Sequence, residues 1–223
     1  MTLRRCAAIV TAAGASRRMG GRTKKEYRLI AGTPVLVRSV RPFLEAGFAP
    51  VVITIPAGHA DEAAALLRPH ISLDDVRLVE GGETRQESVY LGLRSLEQDA
   101  PRIVLIHDGA RPWASAELLQ RVASAAERYG ACVPVTEVPE AVKEVGQSGI
   151  ILRHLQRRTI RFAQTPQGFR YDRILDAHRK AREAGASCVD DGEVFEQFAG
   201  PVVWVPGDPD NRKITRERDL EDA

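Results

Sequence analysis

Ala7-Ala8-Ile9-Val10-Thr11-Ala12-Ala13-Gly14-Ala15-Ser16-Arg17-Arg18-Met19-Gly20 decides the fold. Its first half is an unbroken apolar run, the pattern of a strand covered on both faces. Its second half is a loop of small residues, which lets backbone N–H groups come close to an anion. A buried strand opening into such a loop is the first unit of an open parallel sheet, where ligands bind beyond the carboxyl ends of the strands. Arg17, Arg18, Arg22, Lys24 and Lys25 crowd the positions that follow, a density suited to a triphosphate. The loop is not the Gly-x-x-x-x-Gly-Lys-Ser/Thr of a P-loop. It is not Gly-x-Gly-x-x-Gly either, because Ser16 stands at the second glycine. Taken alone, a solvated basic loop accounts for it equally well.

Outward from this loop, short apolar runs alternate with amphipathic stretches. Strands are expected at Ala7–Thr11, Val51–Pro56, Val76–Val79, Arg102–Ile106, Ala131–Val135 and Val202–Val205. Helices are expected at Pro34–Ala46, Ala60–Leu67, Arg85–Leu96, Ala116–Tyr129, Asp172–Ala184 and Glu193–Phe198. The alternation predicts an α/β fold with a mostly parallel sheet flanked by helices. One segment breaks it: Ala141–Val145 and Ile150–Leu155 flank Gly146-Gln147-Ser148-Gly149, which reads as a hairpin or arm projecting from the sheet.

The 223 residues are 43% hydrophobic and carry a formal net charge of +2. That suffices for one sizeable core and favours one domain. Near-neutrality argues against a nucleic-acid binder that works by neutralising many phosphates. No apolar run reaches the length of a membrane span. Cys6, Cys132 and Cys188 are scattered, which reads as reduced, buried thiols of a cytoplasmic protein.

Further clusters follow the later strands. Gly81-Gly82-Glu83-Thr84-Arg85-Gln86-Glu87-Ser88 pairs glycines with a helix start. His107-Asp108-Gly109-Ala110-Arg111-Pro112 places a carboxylate just past a strand, suited to Mg2+ or a ribose hydroxyl, with Arg111 able to hold Asp108 or face a phosphate. His107 reads as a packed strand-end histidine. Gln164-Thr165-Pro166-Gln167-Gly168-Phe169, taken by itself, is a turn between the arm and the next helix. Asp210-Asn211-Arg212-Lys213-Ile214-Thr215 is polar and cationic.

Together, in this order and spacing, the clusters resemble the 2-C-methyl-D-erythritol 4-phosphate cytidylyltransferases of the non-mevalonate isoprenoid pathway, from about Ala7 to Leu220. The first loop resembles the family's Ala-Ala-Gly-x-Gly-x-Arg-Met followed by Pro-Lys-Gln. His-Asp-Gly-Ala-Arg-Pro, Gln-Thr-Pro-Gln and Asp-Asn-x-Lys-x-Thr match closely. The resemblance implies a single Rossmann-like nucleotidyltransferase domain over residues 1–223 with a β-arm at about 136–157. It implies transfer of CMP from CTP to the phosphate of 2-C-methyl-D-erythritol 4-phosphate, with release of pyrophosphate and with Mg2+ or another divalent cation. Arg18 and Lys25 match the residues that stabilise charge at the α-phosphate. Ala12, Ala13 and Gly14 match the nucleotide loop, and Gly82, Glu83 and Ser88 the cytidine-holding region. Asp108 matches the aspartate after the fourth strand and is the candidate metal ligand. Arg157 and Lys213 match residues that hold the incoming phosphosugar, with Arg111 and Thr165 beside them. Arg157 near the arm serves the neighbouring subunit in this family, which implies a homodimer. Ser16, Lys24, Glu26, Ala141 and Val189 depart from the pattern, the last two on the acceptor side. An enzyme for another polyol phosphate, such as ribitol 5-phosphate, and a non-catalytic nucleotide-binding homologue are the alternative readings.

Overall fold

A computed structural model of the chain describes residues 6–14 and 24–221. The strands are β1 (Cys6–Thr11), β2 (Leu29–Ile30), β3 (Thr33–Pro34), β4 (Val51–Ile55), β5 (Val76–Glu80), β6 (Ile103–Asp108), β7 (Ala131–Glu137), β8 (Lys143–Val145), β9 (Ile151–His154), β10 (Arg161–Ala163), β11 (Gln167–Arg170) and β12 (Val203–Pro206). The helices are α1 (Val35–Glu45), α2 (Ala60–Leu67), α3 (Arg85–Ser95), α4 (Ala116–Tyr129), α5 (Tyr171–Glu183), α6 (Asp191–Phe198) and α7 (Arg218–Glu221).

The main sheet has eight strands in the order β10-β7-β11-β6-β1-β4-β5, with β12 on the other edge of β7. The β5, β4, β1 and β6 strands run parallel. Between β6 and β7 lies β11, antiparallel to both. The sheet is therefore mixed, and its parallel half is the expected βαβ part. After β1 the chain moves outward to β4 and β5, then crosses back to place β6 on the other side of β1. That reversal opens a crevice at the carboxyl ends of β1 and β6.

Alternate residues of β1 serve two cores. Cys6, Ala8 and Val10 pack under α1, α2 and α4, whereas Ala7 and Ile9 pack under α3, α5 and α6. Fully buried Ile9 and Val10 each contribute roughly 1.5–3 kcal/mol by leaving water. Polar side chains start three of the helices: Thr84 Oγ1 accepts from Glu87 N–H, Ser115 Oγ from Leu118 N–H, and Asp190 Oδ1 from Glu193 N–H.

The segment that reads as a turn, Gln164–Phe169, instead feeds β11 into the middle of the sheet. Gln167 can be buried there because its amide is answered on both sides: Nε2 donates to Asp190 and Oε1 accepts from Gly192 N–H. Gly168 is required by α4, since a Cβ on it would lie 2.7 Å from Val122 Cγ1. A second correction concerns β6, which extends to Asp108, so His107 and Asp108 are its last residues and not the loop beyond it. The expected hairpin forms as a separate two-stranded sheet of β8 and β9, with a register irregularity at Glu144/Val145. No described helix is long and apolar enough to cross a membrane. The three cysteines are free; burial pushes the Cys6 thiol up to about 11 and Cys132 to about 12, and Cys188 is half-buried.

Candidate active site

Asp108 ends β6 and is 7% exposed, yet it faces three cations. Lys213 Nζ lies 2.7 Å from its Oδ2, Arg111 Nε 3.5 Å from the same oxygen, and Arg85 Nε 3.3 Å from Oδ1. Burial by itself would raise the carboxyl's pKa. Arg85, Lys213 and Arg111 outweigh it and hold the group well below the usual carboxylate range. Arg85 continues to a second buried carboxylate, with Nη1 2.8 Å from Asp191 Oδ2. Burial likewise opposes the charged form of Asp191, and Arg85 and His178 outweigh it.

The backbone under Asp108 is fixed by Thr165. The Thr165 hydroxyl accepts from Asp108 N–H at 3.0 Å and lies 3.1 Å from His107 Nδ1. His107 Nε2 lies 3.0 Å from the Arg111 carbonyl, which can only accept, so Nε2 carries the proton. Its Nδ1 then accepts the Thr165 hydroxyl proton. Burial lowers the His107 pKa to about 4, so the ring stays neutral in this network. Asn211, also buried, donates to Thr165 O, and its own carbonyl accepts from Arg111 Nη1. The Gln164–Gln167 and Asp208–Lys213 segments thus lock each other around β6.

The first loop meets the site from the β1 side. Lys24 Nζ donates to Gly14 O at 3.3 Å, which brings the described ends of the loop together. Lys25 Nζ donates to Ile214 O, and Ile214 N–H to Ala110 O, so Lys25 lies on the same edge as Lys213 and Arg111. Ala13 abuts the turn after β5: a Cβ on Gly81 would lie 2.5 Å from Ala13 Cβ and 2.6 Å from Ser88 Oγ, so only glycine fits. Ser88 Oγ donates to Thr84 O, and Glu87 folds back to accept Glu83 N–H. The backbone of Ala12–Gly14 and the turn at Gly82–Glu83 therefore form one small-residue rim. Gly109 N–H donates to Thr11 O, and a Cβ there would meet that carbonyl at 2.8 Å, so β1 and β6 leave the sheet in close contact.

Arg18, with Arg17 and Arg22, lies outside the described residues. Arg157 is exposed in the short turn Arg157–Thr159 after the arm, and its Nη1 donates to Pro139 O. Among the described residues it makes no hydrogen bond or ion pair with the Asp108 cluster. Arg85, Asp191 and His178 join the site without being expected. Arg85 stands in a quoted cluster, but its partner Asp191 lies more than a hundred residues on, and no local spacing signals the pair.

Comparison with known proteins settles the kinship. The family model described as 2-C-methyl-D-erythritol 4-phosphate cytidylyltransferase (IspD) matches residues 6–223. The chain belongs to this family. A Pelotomaculum thermopropionicum 2-C-methyl-D-erythritol 4-phosphate cytidylyltransferase is 40% identical over 216 residues, covering 96% of this chain and 90% of that protein. The bifunctional enzyme IspD/IspF of Rhodopseudomonas palustris (strain BisA53) is 42% identical, covering 97% of this chain and 54% of its own length. The chain thus spans about half the length of such bifunctional relatives. Among solved structures, the Thermus thermophilus 2-C-methyl-D-erythritol 4-phosphate cytidylyltransferase matches with a TM-score of 0.80 at 32% identity, covering 96% of this chain and 95% of that one. The 4-diphosphocytidyl-2C-methyl-D-erythritol synthase of Anaerococcus prevotii matches with a TM-score of 0.84 at 27% identity, covering 98% and 95%. This IspD-family chain carries the family's fold with the Asp108 cluster at its crevice.

Proposed function

We propose that the chain transfers CMP from CTP to the phosphate of 2-C-methyl-D-erythritol 4-phosphate, giving 4-diphosphocytidyl-2-C-methyl-D-erythritol and pyrophosphate. The observation that carries this is the buried Asp108 carboxylate holding Lys213 and Arg111 beside Lys25, next to a small-residue rim. An acceptor phosphate is already ionised near neutral pH, so no strong general base is needed. Catalysis rests on positioning and on offsetting charge. The Ala12–Gly14 backbone and Gly82, Glu83 and Ser88 hold the nucleotide. Lys25, with Arg18, offsets charge growing at the α-phosphate. Lys213 and Arg111 receive the acceptor phosphate, and Thr165 holds the Asp108 backbone that orients them.

A divalent ion fits as cargo of the triphosphate. Among the described residues no group of three or more His, Cys, Asp or Glu side chains is placed to cage a metal, and Asp108 is the carboxylate at the crevice. Both Asp108 oxygens already face cations, so phosphate oxygens and water would supply most of the ligands of such an ion. When bound, such an ion neutralises charge across the phosphates.

Arg157 is proposed to serve the site of a second copy of the chain. Val145, Ile151 and Leu152 on the arm and Phe162 near its base are at least half exposed, an apolar surface that a homodimer would cover. Pyrophosphate release from CTP with Mg2+ and a panel of acceptors tests the whole reading. Turnover with 2-C-methyl-D-erythritol 4-phosphate well above ribitol 5-phosphate supports it, and the reverse order overturns it.

A further inference from the structure

Arg85 stands between two buried carboxylates, its Nε toward Asp108 Oδ1 and its Nη1 toward Asp191 Oδ2. Asp191 opens α6 and is 1% exposed, with Oδ1 3.3 Å from His178 Nε2. Arg85 also lines a cavity of about 350 Å³ together with Gln86, Tyr90, His178 and Arg182. Asp191 and Asp108 together hold the guanidinium beside this space.

We infer that Asp191 is a positioning residue that acts through Arg85 to keep Asp108, and with it Lys213, set for the acceptor phosphate. The inference rests on the proposal that Lys213 receives that phosphate. The two oxygens of Asp108 divide their partners: Oδ1 takes Arg85, and Oδ2 takes Lys213 and Arg111. Guanidinium and carboxylate otherwise favour a two-pronged pairing. Asp191 takes Nη1 and so sets the angle of the guanidinium, leaving Nε to meet Asp108. Without the Asp191 charge, Arg85 either closes on Asp108 with two nitrogens and competes with Lys213, or swings into the cavity and leaves Oδ1 unanswered. Both outcomes loosen Lys213.

Asp191→Asn and Arg85→Lys in the full chain test this by pyrophosphate release, with CTP and 2-C-methyl-D-erythritol 4-phosphate varied in turn. A lysine keeps the charge but is a point donor that cannot span both carboxylates. Each variant is expected to raise the acceptor KM about tenfold while the CTP KM stays within about twofold, and the double variant is expected to be no worse than the weaker single, as for residues acting as one unit. Acceptor KM values within twofold of the parent, or CTP and acceptor KM rising together, overturn the inference. If Asp191→Asn does not fold, Arg85→Lys decides; if neither folds, the bridge is a requirement of the fold and the positioning role falls. Lys213→Ala separates the two readings. An unchanged acceptor KM there removes the acceptor assignment itself, whereas a raised one beside a normal Asp191→Asn removes only the role of Asp191.

Discussion

The crevice at the ends of β1 and β6 and the segment that follows the β8–β9 arm both carry arginines, and they use them in opposite ways. In the crevice, Arg85 and Arg111 face buried carboxylates. On the arm side, Arg157 and Arg161 are exposed and donate to backbone carbonyls nearby, Arg157 to Pro139 and Arg161 to Arg157, Arg158 and Ile160. Half-buried cations held by buried anions cannot move without leaving a buried carboxylate unpaired, so they give a fixed field. Arg157 lies in the turn after the arm and Arg161 in β10 at the edge of the main sheet, where exposed guanidiniums that meet only nearby carbonyls are free to turn toward another surface. The cation–carboxylate pairs of the crevice form within one chain, whereas the apolar side chains of the arm are left exposed.

Four experiments can break or sharpen that contrast. Lys25→Ala should lower kcat by about a hundredfold or more, the scale of losing one charge-stabilising donor, with the thermal unfolding midpoint little changed. Near-normal turnover would remove Lys25 from the chemistry. Next, Arg157→Ala should reduce kcat/KM for the acceptor about tenfold or more, a loss of roughly 1.4 kcal/mol or above. Mixing it with Lys25→Ala should restore activity, because one site of the mixed dimer combines an intact Lys25 with an intact Arg157 from its neighbour. No restoration would make Arg157 a resident of its own chain's site.

The third test concerns pH. His107 is neutral in the fold with a pKa near 4, below its ordinary 6.5. Between these values the unfolded chain binds the extra proton, so this contribution to stability is present above pH 6.5 and is lost as pH falls toward 4, at up to about 1.4 kcal/mol per pH unit. Asp108 adds a loss in the same direction at more acid pH, because its folded pKa is depressed. Urea unfolding at pH 7 and pH 5 should show a larger difference for the parent than for His107→Gln; equal differences would contradict the neutral-ring network. The arm has no such buried group and should not contribute. The smallest effect is expected at Val189, which is 89% exposed: Val189→Thr should change stability by no more than about 0.5 kcal/mol. A larger shift in its unfolding midpoint would mean that this surface is covered in the assembled protein.

Much of the crevice was legible locally. The apolar run of β1, the small residues after it and Asp108 before Gly109 each announce themselves within a few positions. The arm was legible as well, because glycines at Gly146 and Gly149 flank a turn between two extended stretches. Two features were not. Gln167-Gly168-Phe169-Arg170 is too short and too mixed in character to read as a central strand, and its place depends on Asp190, Gly192 and Val122 elsewhere in the chain. His107 reads as ordinary strand-end packing, and only the positions of Thr165 and Arg111 turn it into a support for Asp108.

The sequence by itself showed a small-residue, basic loop after β1 and a carboxylate with basic neighbours at the strand ends, because side-chain size and charge act at short range along the chain. Only the tertiary structure decided which cation answers which oxygen. The pairing of Arg85 with both Asp108 and Asp191, and the meeting of Lys25 with the segment around Lys213, arise from strand order and helix packing. Those bring together residues that no local pattern connects.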